Sequence, residues 1–203
     1  MPKTVVIADD HAFATQGLMA ALEQDGRCKV VGCTTNGIEA IALIKTHAPD
    51  CAVVDLAMPG ATGIEVLLES RRWSPQTRIL VLTGTDSGPT LQSVQKAGAH
   101  GIFVKSTDPL LICQGIYDVA CGLESYDQAV QHMLKDVQQA KTLTPREREV
   151  LIGLSKGLSN QGISERLGVS PKTVDSHRTS LMRKMGVNST ATLLVKAMRD
   201  GLF

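Results

Sequence analysis

The chain lacks any run of 18 consecutive apolar residues, the length that marks a membrane-spanning helix. It also lacks the basic segment and following apolar stretch of a secretory signal, since strand-like residues begin within a few positions of Met1. Neither export nor a membrane location is expected, and a cytoplasmic protein is. Disulfide and zinc frameworks are missing too. Cys28, Cys33, Cys51, Cys113 and Cys121 are odd in number, have no CxxC spacing and mostly sit in apolar stretches. Buried, reduced thiols are the expectation. The five histidines are scattered, with no metal-ligand spacing. Charge of one sign is absent overall, the formal net charge being +1. That balance conceals an asymmetry. Residues 1–140 carry 10 Lys+Arg against 15 Asp+Glu, a net of −5, whereas residues 141–203 carry 11 against 5, a net of +6. An acidic part and a basic part suggest two domains, with nucleic-acid contact by the basic one.

Four short apolar runs in the first half each end in a polar residue suited to phosphoryl transfer. Thr4-Val5-Val6-Ile7-Ala8 runs into Asp9-Asp10, and Cys51-Ala52-Val53-Val54 into Asp55. Ile79-Leu80-Val81-Leu82 runs into Thr83, and Ile102-Phe103-Val104 into Lys105. Runs of this length and β-branched content, separated by helix-length segments, read as buried parallel strands. In an open α/β sheet the crevice beyond the strands' carboxyl ends is where ligands bind. Three carboxylates, a hydroxyl and an ammonium are thereby expected around one cleft. Crowded carboxylates repel unless a cation compensates, and a hard divalent ion such as Mg²⁺ is the natural partner. Asp55 has the character of a carboxylate nucleophile. The ion and Lys105 would neutralise charge on the transferring group, and Thr83 would donate to a phosphoryl oxygen.

These residues resemble the receiver domain of bacterial response regulators. The resemblance is carried by Val6-Ile7-Ala8-Asp9-Asp10-His11, Val53-Val54-Asp55-Leu56-Ala57-Met58-Pro59-Gly60, Leu82-Thr83-Gly84 and Ala97-Gly98-Ala99-His100-Gly101-Ile102-Phe103-Val104-Lys105-Ser106. It implies a doubly wound, flavodoxin-like (βα)5 fold and phosphorylation of Asp55 by a sensor histidine kinase. It also implies Mg²⁺ held by Asp9, Asp10 and Asp55 with the Ala57 carbonyl. Two positions depart from the pattern. Ile102 stands at the switch position, where many receivers carry an inward-swinging Tyr or Phe, and Phe103 points to the opposite strand face. Ser106 replaces a common proline.

The remaining elements follow from periodicity and turn residues. Helices are expected at about 12–25, 37–47, 63–72, 89–97 and 108–121, the first with Phe13, Leu18 and Leu22 inward, and a second strand at Val30-Val31. Alternating β and α elements call for a parallel sheet. Pro59-Gly60 and Ser87-Gly88-Pro89 mark loops on the site's face, and Gly122 ends the fifth helix. The polar, Gln-rich residues 123–141 carry Val130, Met133, Leu134 and Val137 at helical spacing and read as a helical linker. The division expected is 1–122 receiver, 123–141 linker and 142–203 DNA-binding domain.

Thr144-Pro145-Arg146-Glu147 is a helix start, with Thr as N-cap and Glu three residues on, followed by the stripe Val150, Leu151 and Leu154. Gly157-Leu158-Ser159-Asn160 breaks the chain, a short helix carries Ile163 and Leu167, and Gly168-Val169-Ser170 turns into a longer helix ending near Met185. Two helices joined by a short turn, the second rich in basic and hydroxyl residues, form a small all-α helix-turn-helix unit. Val174, Leu181 and Met185 fall on one inward stripe. Lys172, Ser176, Thr179 and Arg183 lie opposite, with Asp175 on the flank, where a recognition helix meets the major groove. His177, Arg178 and Lys184 lie beside the stripe and suit phosphates or packing.

This segment resembles the LuxR-type DNA-binding domain, through Leu143-Thr144-Pro145-Arg146-Glu147-Arg148-Glu149-Val150-Leu151, Leu158-Ser159-Asn160, Thr173-Val174, His177, Lys184-Met185-Gly186-Val187 and Gly201-Leu202. With the receiver, nearly the whole chain resembles the NarL/FixJ class of two-component response regulators. The resemblance adds Asn160 and Thr173 to the DNA-contacting set. Gly162 stands where the family commonly has Glu, and should soften its helix by up to ~1 kcal/mol. Asp175 stands where many members have Lys; there it repels phosphate and is suited to accept from a cytosine amino group.

The function expected is a phosphorylation-controlled transcription regulator that accepts a phosphoryl group on Asp55, dimerises and binds double-stranded promoter DNA, where it can meet RNA polymerase. It is not expected to be a turnover enzyme, because no second catalytic acid follows Asp55 and no substrate-pocket motif occurs. The competing class is a phosphorylation-independent DNA-binding or partner-docking protein on a receiver scaffold, favoured by Ile102 alone.

Overall fold

A computed structural model describes residues 1–141 and 143–203, without the side chains of residues 139–141. The expected domain start at Thr142 lies outside the described residues. The described chain divides into two compact units, residues 1–86 with 90–131, and residues 87–89 with 132–203.

The first unit alternates strands and helices in chain order. These are β1 (Lys3–Ala8), α1 (Ala12–Asp25), β2 (Cys28–Thr34), α2 (Gly37–His47), β3 (Cys51–Val54), α3 (Gly63–Trp73), β4 (Arg78–Thr83), α4 (Gly88–Ala97), β5 (Gly101–Val104), α5 (Pro109–Ala120) and β6 (Ser125–Tyr126). All strand pairs are parallel, in the order β2-β1-β3-β4-β5-β6. The order reverses between β1 and β3. Such a topological switch point opens a crevice at the strands' carboxyl ends, and Asp9-Asp10 and Asp55 are the residues that leave β1 and β3 there.

Why the strands are buried on both faces is plain from their side chains. Val5, Ile7, Val53, Leu80, Leu82 and Phe103 pack with Leu18, Leu22, Ile112, Ile116 and Val119 of α1 and α5. Their neighbours Val6, Ala52, Val54, Val81 and Ile102 point to the opposite face and are equally buried. Phe103 fits because residue 115 is glycine: a Cβ there would come within 2.3 Å of the Phe103 ring. The helices start where the caps specify. Asn36 caps α2, Thr62 and Glu65 form a capping box on α3, and Asp108 with Pro109 opens α5.

Four expectations are corrected. Phe13 is 92% exposed. The buried positions of α1 are Thr15, Leu18 and Leu22, and at 3.6 residues per turn Phe13 lies about 160° around the helix from Thr15. The sheet has six strands rather than five, because residues 125–126, read as linker helix, pair with β5. Gly88 opens α4 rather than lying in the loop, one residue before the expected helix start at 89. The linker helix is shorter than expected, α6 running over Gln128–Lys141, with Val130, Leu134 and Val137 buried and Met133 half-buried.

The C-terminal part holds α7 (Pro145–Ser155), α8 (Asn160–Leu167), α9 (Pro171–Lys184) and α10 (Thr190–Arg199). Val150, Leu151, Leu154, Ile163, Val174, Leu181, Met185, Leu193 and Ala197 form its core. Thr144, Ser159, Ser170 and Ser189 each cap the helix that follows, and Gly168 takes φ +64° between α8 and α9, a conformation favouring glycine. No helix among the described residues is long and apolar enough to cross a membrane. The cysteines are free, with Cys28, Cys51 and Cys113 buried as expected and Cys33 and Cys121 exposed.

Candidate functional site

Register brings the strand-end residues together. Ala8 pairs with Val54, and the Asp55 N–H donates to the Ala8 carbonyl over 2.9 Å. Asp9 and Asp55 therefore emerge side by side. Thr83 pairs with Val104, and the Lys105 N–H donates to the Thr83 carbonyl over 2.8 Å. Gly63 lets α3 start hard against the strand end, since a Cβ there would lie 2.3 Å from the Asp55 carbonyl oxygen.

Lys105 ties these ends into one site. Its ammonium donates to Asp55 Oδ2 over 2.7 Å and to Asp9 Oδ1 over 2.8 Å. The other Asp55 oxygen accepts from the Leu56 N–H over 2.7 Å. Asp9 and Asp55 are buried at 3% exposure each, while Asp10 is exposed at the crevice mouth. Burial opposes the charged form of Lys105, yet its hydrogen bonds and charge attraction to Asp55 and Asp9 outweigh that and raise its pKa above the ordinary lysine value. Thr83 is buried, and its Oγ1 accepts from the Thr85 N–H. Ala57 lies exposed in the turn after Asp55.

Sequence spacing missed one member of the cluster. His11 follows Asp10 directly and has its Nδ1 2.8 Å from Asp10 Oδ1, 3.2 Å from Asp9 Oδ1 and 3.7 Å from Asp55 Oδ2. Asp9, Asp10, His11 and Asp55 each offer a donor atom within 4.8 Å of the others. The signal was present as an adjacent triplet, Asp9-Asp10-His11. Recognising it required Asp55, 44 positions downstream, to be placed alongside.

Ile102, at the expected switch position, is completely buried. Its strand neighbour Phe103 sits in the core against α5, so neither side chain reaches the crevice surface as an exposed aromatic.

In the second unit α9 presents Lys172, Asp175, Ser176, Thr179 and Arg183 as exposed residues, while Thr173 and His177 are half-buried. Thr173 is engaged with the N-cap, its Oγ1 lying 2.8 Å from Ser170 Oγ. Asn160, on the preceding helix, donates to Asp175 Oδ1 over 3.4 Å and accepts from Arg178 over 3.2 Å. Arg178 also donates to Thr190 Oγ1. Arg178 thus links α8, α9 and α10.

Lys184, expected to suit phosphates or packing, is also engaged within the domain. Its ammonium donates to Glu147 Oε2 over 2.7 Å, with 27% of the lysine side chain and 4% of the glutamate exposed. Glu147 accepts additionally from Ser180 Oγ and the Thr144 N–H. Burial alone would raise the Glu147 pKa, but these bonds hold it down at about 2. That engagement sets Lys184 apart from the exposed Lys172 and Arg183.

Comparison with known proteins is consistent along the whole chain. Residues 5–117 match the response regulator receiver domain, and residues 141–197 match the bacterial regulatory proteins of the luxR family. The probable transcriptional regulatory protein NarL of Mycobacterium tuberculosis is 33% identical over 204 residues, covering 98% of this chain and 94% of that protein. Response regulator UvrY of Escherichia coli is 32% identical over 206 residues, with the same coverage. Among solved structures, RcsB from Salmonella enterica serovar Typhimurium, bound to a promoter in the presence of phosphomimetic BeF3−, aligns with TM-score 0.63 and 28% identity. That alignment covers 98% of this chain and 99% of RcsB. A structure of two RcsB dimers bound to two parallel DNAs aligns with TM-score 0.64 at the same identity and coverage.

Proposed function

The chain belongs to the bacterial response regulators that join a receiver domain to a LuxR-type DNA-binding domain, and from that premise we propose that phosphorylation of Asp55 by a sensor histidine kinase controls its binding to promoter DNA. The observation that carries this reading is the buried Asp55 carboxylate, held by Lys105 and flanked by Asp9 and Asp10 at the sheet's switch point.

The residues present fit a divalent cation. Lys105 Nζ is itself a cation held by Asp9 and Asp55, so the pocket already accommodates positive charge between its carboxylates. Asp9, Asp10 and Asp55, with the Ala57 carbonyl, would hold Mg²⁺, which neutralises phosphoryl oxygens. Asp55 supplies the attacking oxygen. As the new O–P bond forms, the P–N bond to the kinase histidine breaks and the electron pair leaves with the imidazole. Lys105 balances charge on the transferring group, and the Thr83 hydroxyl donates to a phosphoryl oxygen once it is attached.

The output follows from α9. Its exposed face suits the major groove, with Lys172, Asp175, Ser176 and Thr179 toward base edges and Arg183 on phosphate. Phosphorylation shifts the population toward a dimer that spans adjacent half-sites. The RcsB complexes with DNA support this reading by likeness. It is a cytoplasmic regulator that meets RNA polymerase at promoters, not a turnover enzyme.

The test is direct. Incubate the full chain with a small acyl phosphate, with and without EDTA, and measure intact mass for wild type and Asp55→Asn. Incorporation of one phosphoryl group, by wild type only and only with metal, is expected. Equal incorporation by both proteins would reject the assignment.

A further inference from the structure

Asn160 is the first residue of α8, and its side chain meets α9 at two places. Its Oδ1 accepts from an Arg178 guanidinium nitrogen over 3.2 Å, and its Nδ2 donates to Asp175 Oδ1 over 3.4 Å. The two ends of the amide are not interchangeable here. A guanidinium only donates and an ionised carboxylate only accepts, so the amide oxygen faces Arg178 and the amide nitrogen faces Asp175. Arg178 is fixed in turn, because its other terminal nitrogen donates to Thr190 Oγ1. Orientation therefore passes from Thr190 through Arg178 and Asn160 to Asp175.

Exposure rises along the same series. Arg178 and Asn160 are half-buried, whereas Asp175 is exposed. Asp175 is the fifth residue of α9, in the early part of a recognition helix that reaches base edges. A solitary aspartate there would turn freely and be repelled by phosphate. With one oxygen directed by Asn160, the carboxylate has a heading, and its second oxygen is left for a donor outside the protein. The major groove offers such donors on two bases only, the amino groups of adenine and cytosine. Adenine sets its N7 acceptor beside the amino group, where it opposes a carboxylate, and cytosine has no acceptor at that place. A directed carboxylate therefore distinguishes cytosine from the other three bases.

We propose that Asp175 reads a cytosine of the operator and that Asn160 is the positioning residue that aims it. The inference rests on the DNA-binding reading of α9 and deepens it, by naming a base and a residue outside α9 that helps to select it.

The experiment first selects duplexes from a randomised pool with the full chain, as wild type and as Asp175→Ala. The position whose preference the substitution erases is the base pair that Asp175 reads. Affinities for duplexes with cytosine or thymine at that position are then measured for wild type, Asp175→Ala, Asn160→Ala and Asn160→Asp. Asn160→Asp keeps an acceptor for Arg178 but has no amide hydrogen for Asp175, so it preserves the link to Arg178 and removes the aim. Wild type should favour cytosine by about tenfold or more. Each Asn160 substitution should cut that ratio by about threefold or more, and adding either to Asp175→Ala should change it no further. N4-methylcytosine, whose methyl replaces the amino hydrogen facing the groove, should weaken wild type as thymine does and make no difference to Asp175→Ala. Selection of a base other than cytosine, or an Asn160→Asp protein that keeps the full ratio or loses affinity equally on both duplexes, would overturn the proposal while leaving DNA binding by α9 intact. Failure of wild type to bind any duplex would overturn both.

Discussion

Lys184 of α9 reaches back to Glu147 of α7, with 2.7 Å between Nζ and Oε2, and this pair fastens α9 to α7. Removing the lysine leaves a nearly buried carboxylate without its cation, a change that costs several kcal/mol in fully buried pairs. Lys184 keeps part of its side chain in water, so Lys184→Met should destabilise the output domain by about 2 kcal/mol. Denaturant melts of the full chain measure it. A loss below 0.5 kcal/mol would mean the pair contributes no more than an ordinary surface bridge.

DNA affinity separates the two basic residues at the end of α9. Arg183 is exposed and Lys184 is engaged. Arg183→Ala should weaken binding on all sequences and flatten the dependence of log affinity on log salt by about 0.9 unit. Lys184→Met, measured where it is folded, should leave that slope unchanged. Gel shifts over a salt series decide between them.

Acid should loosen the same contact. Glu147 titrates near 4.5 when unperturbed and at about 2 in the fold. A depressed carboxylate pKa stabilises fully above the unfolded value, and the contribution disappears as pH falls through the folded one. The difference in melting temperature between wild type and Glu147→Gln should therefore be constant above about pH 5.5 and shrink between pH 4.5 and 2. A difference independent of pH down to 2 would remove the assignment.

Gly162 lies inside α8 where a Cβ would meet nothing closer than Ser159 Oγ at 3.7 Å. Gly162→Ala should stabilise the output domain by up to ~1 kcal/mol, through helix propensity alone. Thermal unfolding reads the gain directly.

Ile102 is fully buried, so installing the aromatic common at this switch position crowds the core. Ile102→Tyr should cost about 1–3 kcal/mol in receiver stability. Where it remains folded, sedimentation of the phosphorylated proteins should show a more complete monomer-to-dimer shift than wild type. Complete dimerisation of dilute phosphorylated wild type would show that Ile102 does not weaken the switch.

Base preference should follow the flank of α9. Asp175 and Thr179 are exposed on the face proposed for the groove, and Asn160 donates to the Asp175 carboxylate. Thr179→Ala and Asp175→Asn should each change which operator is selected from a randomised duplex pool, not merely lower affinity. An unchanged selected sequence for both would place other residues on the bases.

The sequence alone determined the strands, their polar ends and the capped helix starts, because those signals are local. A β-branched run closed by Asp, Thr or Lys, or a Thr-Pro-Arg-Glu helix start, is complete within a few positions. Asp9, Asp10, Asp55 and Lys105 were named from such signals, and parallel pairing brought them to one crevice. Only tertiary structure decided how side chains with several possible partners were used. Lys184 and Arg178 carry the same charge as any groove-facing cation, yet Glu147 claims one, and Asn160 with Thr190 claims the other. His11 joins the carboxylates because Asp55, distant in sequence, comes to stand beside it. A two-residue sixth strand carries too short a pattern to announce itself, and β5's open edge supplied its pairing. Phe13 was hydrophobic enough for a core, but the helix phase set by Thr15, Leu18 and Leu22 turned it outward.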